Sequence, residues 1–236
     1  MVRRIVDKFT DTAFSPAAAA AMWRLLIGAS TTVENPLSIS AYAPDSDPSL
    51  YWLAREYFGP FIPVGKQPHV KRVIGDVLDG KTSIGIVPIP RSSDENQWWT
   101  SLMQQGNDSP KIFAHIPFVY YGTPAKDAPA GFAISKIQPE PTADDMSLLV
   151  IEADQNVSQS RLQTASTAAK LDAQWLSVAT LTPASRMHLI ACKGFITPEH
   201  EKIKTMLASL GASVLNVHFL GAYATPFTIE HDRSPK

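Results

Sequence analysis

Thr82-Ser83-Ile84-Gly85-Ile86-Val87-Pro88-Ile89 is a nearly continuous apolar run, preceded by Leu78-Asp79-Gly80 and followed by Pro90-Arg91-Ser92-Ser93-Asp94. A strand that is apolar on both faces belongs to a sheet covered on both sides, as parallel sheets with helical crossovers are. Upstream, Pro68 opens a helix carrying Val70, Val73, Ile74, Val77 and Leu78, which Gly80 closes. Before it stand a short strand at Phe61–Val64, a helix begun by Asp47-Pro48 and ended by Gly59, and a strand at Leu37–Ala43. Downstream, Asp94 is placed to cap a helix bearing Trp98, Trp99, Leu102 and Met103, and Ile112–Tyr121 and Gly131–Ile137 read as strands. This alternation predicts an α/β lobe over 37–137 with a mainly parallel sheet. Trp98 and Trp99 are neighbours, so at most one is expected to face the core fully; the other covers a crevice or a subunit contact, or is partly buried.

Residues 1–36 read as helical, with Ser15-Pro16 as a start, Asn35-Pro36 as a stop, and Met22, Leu25, Leu26, Ala29 and Val33 on one face. Such a stripe cannot bury itself, which points to a homodimer. Residues 138–145 form a polar, proline-bearing linker. Beyond it, strand Met146–Ala153, helix Ser158–Leu171, strands Gln174–Leu181 and Arg186–Phe195, a helix capped by Thr197-Pro198 and strand Ser213–Leu220 make the ferredoxin-like order βαββαβ within 146–227. The tail, 228–236, is polar and expected to fray.

The 236 residues include 44% apolar and 18% charged side chains, with 21 Lys+Arg against 22 Asp+Glu. That composition excludes a mostly disordered chain, and a net charge of −1 disfavours nucleic acid and anionic lipid as partners. A lone cysteine, Cys192, builds neither an internal disulfide nor a thiolate zinc site. No apolar run reaches the ~20 residues of a membrane helix, and no apolar h-region follows Arg3-Arg4, so a cytoplasmic protein without a signal peptide is expected.

The sequence has no G-x-S-x-G, Walker A, G-x-G-x-x-G, H-E-x-x-H or C-x-x-C motif. Its six histidines are scattered with no metal spacing; His115, His188 and His218 fall inside predicted strands, where a structural role competes with a chemical one. The loop Pro88–Asp94 follows a buried strand, where open α/β sheets bind ligands. Arg91, the hydroxyls of Ser92 and Ser93, and a helix N-terminus together suit a carboxylate. Pro44, Asp45 and Ser46 follow the first strand and should share that rim. In both loops a capped helix start is the competing reading.

These residues resemble a family, the bacterial P-protein: chorismate mutase, then prephenate dehydratase, then an ACT domain. Met22–Ser30 is similar to the last mutase helix, with Ser30 and Glu34 where the family has a serine and a glutamine or glutamate. Ser40-Ala41-Tyr42-Ala43-Pro44-Asp45-Ser46 looks like the start of the dehydratase domain, and Val77–Ile89 like the strand leading to its Glu-Asn-Thr-Ser segment, which here reads Pro90-Arg91-Ser92-Ser93. Phe132 matches the family's Thr-Arg-Phe motif, whose threonine and arginine are absent here, and the family's second lobe is shortened. The resemblance implies a shortened periplasmic-binding-protein-like lobe, a ferredoxin-like ACT-type domain and N-terminal helices. It implies conversion of prephenate to phenylpyruvate without a cofactor or metal. Arg91 with Pro44, Asp45 and Ser46 would hold substrate, and Ser92, Ser93 and Thr123 would be catalytic. Phenylalanine would act as an effector near Asn156, Ser158, Leu162 and Leu181. The shortened form is also similar to quorum-quenching N-acyl-homoserine lactone acylases of prephenate dehydratase ancestry, and a non-catalytic aromatic amino-acid sensor is the third reading.

Overall fold

A computed structural model of the chain describes residues 2–9, 12, 14–34, 36–91, 97–103 and 108–229. Two compact units are found, one made of Met1–Pro88, His115–Ile134 and Pro226–Lys236, the other of Ile89–Ala114 and Ser135–Thr225.

The first unit begins with α1 (Val2–Phe9) and α2 (Pro16–Glu34), followed by β1 (Ile39–Tyr42), α3 (Ser49–Phe58), β2 (Val64–Gln67), α4 (Val70–Leu78) and β3 (Ile84–Pro88). β4 (Lys111–Ile116) belongs to the second unit as far as Ala114 and to the first from His115, and β5 (Val119–Tyr121) and β6 (Gly131–Ser135) follow it. β1 lies between β2 and β3 and is parallel to both, while β6 runs antiparallel to β3, with Gly131 opposite Pro88. The α/β lobe is therefore present, but only three of these four strands are parallel.

β3 is buried along Ile84–Val87, as its apolar run requires. A Cβ on Gly85 would meet Val73 and Val77 of α4, whereas one on Gly131 would meet Val87 O at 2.7 Å and Leu50 of α3 at 3.0 Å. Along a strand successive side chains point to opposite faces, so α3 and α4 cover opposite faces of β3. The α3 crossover runs from β1 out to β2, and the α4 crossover returns from β2 past β1 to β3 on its other side, which puts a topological switch point between β1 and β3.

Three local expectations change. The expected strand Phe61–Val64 is β2, shifted to Val64–Gln67, and Phe61 is exposed. The expected strand Ile112–Tyr121 is divided at Pro117, which has no N–H to give to a ladder. Residues 227–229 are not frayed: β11 (Phe227–Ile229) pairs in parallel with β5, and Phe118, Phe227 and Ile229 pack around Val6, Ala20 and Val119. Helix α2 forms as expected, but it buries Ala19 and Ala20 and leaves Met22, Leu26 and Val33 exposed. Its small residues admit close neighbours: a Cβ on Gly28 would lie 2.9 Å from Phe58 O.

The second unit contains β7 (Asp145–Asp154), α5 (Gln159–Ala168), β8 (Ala173–Thr182), β9 (Ser185–Lys193), α6 (Glu201–Leu210) and β10 (Val214–Ala224). Strand order β10-β7-β9-β8, all antiparallel, is the ferredoxin-like arrangement. Leu149, Ile151, Ile190 and Cys192 face α5 and α6, where Leu162, Ile203 and Met206 complete the core. His200, not Thr197, caps α6, its Nδ1 accepting from Lys202 N at 3.2 Å.

The opposite sheet face, with Leu148, Val150 and Leu189, lies on the side of Ser177, whose hydroxyl donates to Gln97 Oε1 at 2.6 Å. Gln97 also accepts from Trp99 Nε1 at 2.7 Å, so the 3₁₀ helix Trp98–Met103 is tied down at its start. Both Trp98 and Trp99 are buried, against the expectation that only one would be.

Candidate functional site

The carboxyl ends of β1, β2 and β3 form one rim of the first unit. Tyr42 is level with Gln67, and Ala43 N donates to Gln67 O at 2.8 Å, so the loop starting at Pro44 and the α4 N-terminus after Gln67 sit side by side. Pro44 is half-buried, and Asp45 and Ser46 are exposed in the turn that leads to α3. Asp47 accepts from Ser49 N at 3.0 Å, and hydrogen bonds from the Ser49 hydroxyl first and its backbone N–H second hold its carboxyl below the usual value. Asp47 thus fills the capping role, and the α3 N-terminus is already supplied with an anion.

Below the rim, Asp76 Oδ2 accepts from Ser40 Oγ at 2.8 Å and from Gln67 Nε2 at 2.7 Å, joining β1, β2 and α4. Ser40 is buried and its hydroxyl is committed to this network. It stiffens the two strands whose ends carry the loops.

At the α4 N-terminus His69 makes no side-chain cap bond, and its carbonyl accepts from Arg72 N at 3.0 Å and Val73 N at 3.4 Å. The helix itself is announced by Pro68 and its apolar face, and it starts two residues later, at Val70.

Arg91 stands three residues beyond β3 and is exposed; Ser92 and Ser93 lie outside the described residues. Thr123 is exposed in the loop after β5, a strand of the small β11–β5 sheet, so sheet topology does not bring it to the rim. Ser30 Oγ donates to Leu26 O at 2.9 Å, folded back on its own helix.

His115, half-buried on β4, stands edge-on to Phe132 with ring centroids 5.8 Å apart. Its Nδ1 lies 3.0 Å from Pro117 O, and a carbonyl can only accept, so Nδ1 carries the proton. Burial pushes the imidazole pKa down, opposed in part by that hydrogen bond, which makes His115 a neutral ring with Nε2 as its basic atom.

Of the four residues expected at an effector site, Asn156 and Ser158 lie at the β7–α5 junction. Asp154 Oδ1 accepts from Asn156 N and Nδ2, each at 2.8 Å, and Ser158 Oγ accepts from Arg161 N at 3.2 Å as the α5 N-cap. Leu162 is fully buried in the core, so its side chain fills space under the helices. Leu181 falls at the irregularity between Thr180 and Thr182 in the β8–β9 pairing. Among the described residues no group of three His, Cys, Asp or Glu is placed to hold a metal ion, and no helix is long and apolar enough to cross a membrane.

No protein-family model and no curated protein matches the sequence. Solved structures do match the fold. One, described as GqqA, a novel type of quorum quenching acylase, superposes with a TM-score of 0.58 at 14% identity over 80% of this chain and 95% of that one. Prephenate dehydratase from Streptococcus mutans gives 0.54 at 14% identity over 82% and 100% of the two chains. Prephenate dehydratase from Arthrobacter aurescens in complex with L-Phe gives 0.55 at 12% identity over 85% and 92%. At such identities the likeness is one of fold.

Proposed function

We propose that the chain is an enzyme of the prephenate dehydratase fold that acts on a small carboxylate at the rim of β1, β2 and β3. The observation that supports this reading most is the switch point between β1 and β3, with the Pro44–Ser46 loop on one side and the chain leading to Arg91 on the other. In the conversion of prephenate to phenylpyruvate, the ring carboxylate leaves as carbon dioxide and the ring hydroxyl leaves as water once protonated. Arg91, with Ser92 and Ser93, would hold the side-chain carboxylate. Asn156 and Ser158 at the β7–α5 junction would be the phenylalanine contacts of an ACT-type module, and the exposed α2 stripe would pair two copies into a homodimer. Mass spectrometry of products from prephenate, above the uncatalysed background, is the test; no excess phenylpyruvate at any enzyme concentration rejects the dehydratase assignment.

A second reading is amide hydrolysis of N-acyl-homoserine lactones. The likeness to the acylase structure and the neutral, oriented imidazole of His115 favour it, since hydrolysis needs a base for an attacking hydroxyl or water. It predicts free homoserine lactone and fatty acid as products; lactone opening alone counts against it.

A further inference from the structure

Within the second unit β10 borders a cavity of about 720 Å³ on the side of Lys111. β10 lies between β7 and β4 in the sheet, and β4 meets it at one parallel pair, Gly221 opposite Ile112. The cavity is lined by Lys111 and by Val217, His218, Phe219 and Leu220, the residues just before that pair on each strand, and its volume is in the range of small-molecule sites, roughly 300–1,000 Å³. Leu102, Phe195, Phe219 and Leu220 give it apolar walls, with the two phenylalanine rings edge-to-face at 5.9 Å.

Lys111 supplies a charge to this lining. Its Nζ donates to Phe219 O at 2.9 Å, a neutral partner, and among the described residues no carboxylate lies within ion-pair distance. The ammonium is half-buried, and burial alone pushes its pKa down, with no opposite charge to offset it. A desolvated ammonium without a counter-charge is a costly feature that an anionic ligand relieves. The other charged groups narrow the choice. His218 is turned to Glu152 at 3.7 Å, and Glu199 is exposed on the same lining, so a second negative charge on the ligand has no cation to meet.

We propose that this cavity binds a small organic monocarboxylate with an apolar body, its carboxylate on Lys111 Nζ and its hydrocarbon part against Leu102, Phe195 and Leu220. The site is separate from the rim of the first unit and stands or falls independently of the activity proposed there.

Titration calorimetry with 3-phenylpropanoate and its neutral amide, 3-phenylpropanamide, on the full chain tests it. The acid should saturate one site and bind about tenfold more tightly than the amide, the effect of one charge-assisted hydrogen bond. Lys111→Met should abolish this preference, and Lys111→Arg should retain it. Equal binding of acid and amide to the unaltered protein overturns the proposal without reliance on any variant. So does an absence of saturable binding at millimolar acid, or retention of the preference in a folded Lys111→Met protein.

Discussion

Gly221 lies against the backbone of Ile112 so closely that a Cβ at this position would overlap the Ile112 carbonyl and amide. Gly221 also has φ +141°, which side-chain-bearing residues rarely adopt. It marks a register shift in the β10–β7 ladder and the single point where β4 joins β10.

Gly221→Ala should therefore cost about 3 kcal/mol or more, from strain and steric overlap together. Gly75→Ala in α4 is the control, because nothing lies within 4 Å of its would-be Cβ. There the helix should gain about 0.5–1 kcal/mol. Urea midpoints of the two variants should move in opposite directions.

Asp76→Ala removes the shared acceptor of Ser40 and Gln67 and leaves the buried Ser40 hydroxyl without that partner. A loss of about 1–3 kcal/mol is expected. Ser40→Ala in the same background should then cost less than it does alone, which a double-mutant cycle by chemical denaturation reads directly.

Neither ring nitrogen of His188 has a hydrogen-bond partner among the described residues, and the ring stands edge-on to Trp175 at 5.6 Å. Burial first, then the charge of Arg186, pushes its pKa down. The unfolded chain binds the proton more readily, so stability falls as pH drops below about 6.5 and continues to fall until the folded-state pKa is passed. His115 adds to the same slope, since its pKa is also lowered. His188→Leu should flatten the curve between about pH 7 and 5 but leave the His115 share; an unchanged slope would assign the acid sensitivity elsewhere.

Cys192 is buried, and burial pushes its thiol pKa up to about 12. It should resist thiol reagents at neutral pH until the second unit opens. Labelling rates that follow urea denaturation would bear this out, whereas prompt labelling in buffer would place the thiol at the surface.

Arg91→Ala should lower kcat/KM on a carboxylate substrate by roughly 10- to 100-fold, the loss of one charge-assisted contact. His115→Ala should spare a dehydratase activity but remove an acylase activity. That contrast separates the two readings by product analysis on one pair of variants.

The order of elements was readable because each is announced locally. Pro16, Gly59 and Gly80 bound helices, and the apolar run ending at Pro88 is buried as its composition demands. Harder cases are those where two solutions satisfy one local pattern. Helix α2 offers a stripe of Met22, Leu26 and Val33 and a stripe of small residues. Periodicity favours the larger side chains, yet Ala19 and Ala20 are buried because close approach to neighbouring chain requires small ones. Of the carried-over site, Pro44, Asp45 and Ser46 do lie at a parallel strand's carboxyl end, while Thr123 follows a strand of another sheet.

By itself the sequence determined the α/β lobe and the βαββαβ module, since hydrophobic period and helix stops are properties of neighbouring residues. Tertiary structure alone decided that Phe227–Ile229 pairs with Val119–Tyr121, that both Trp98 and Trp99 are buried, and that Lys111 meets a cavity beside Phe219. Those partners lie far apart along the chain, and no local pattern carries the geometry that brings them together.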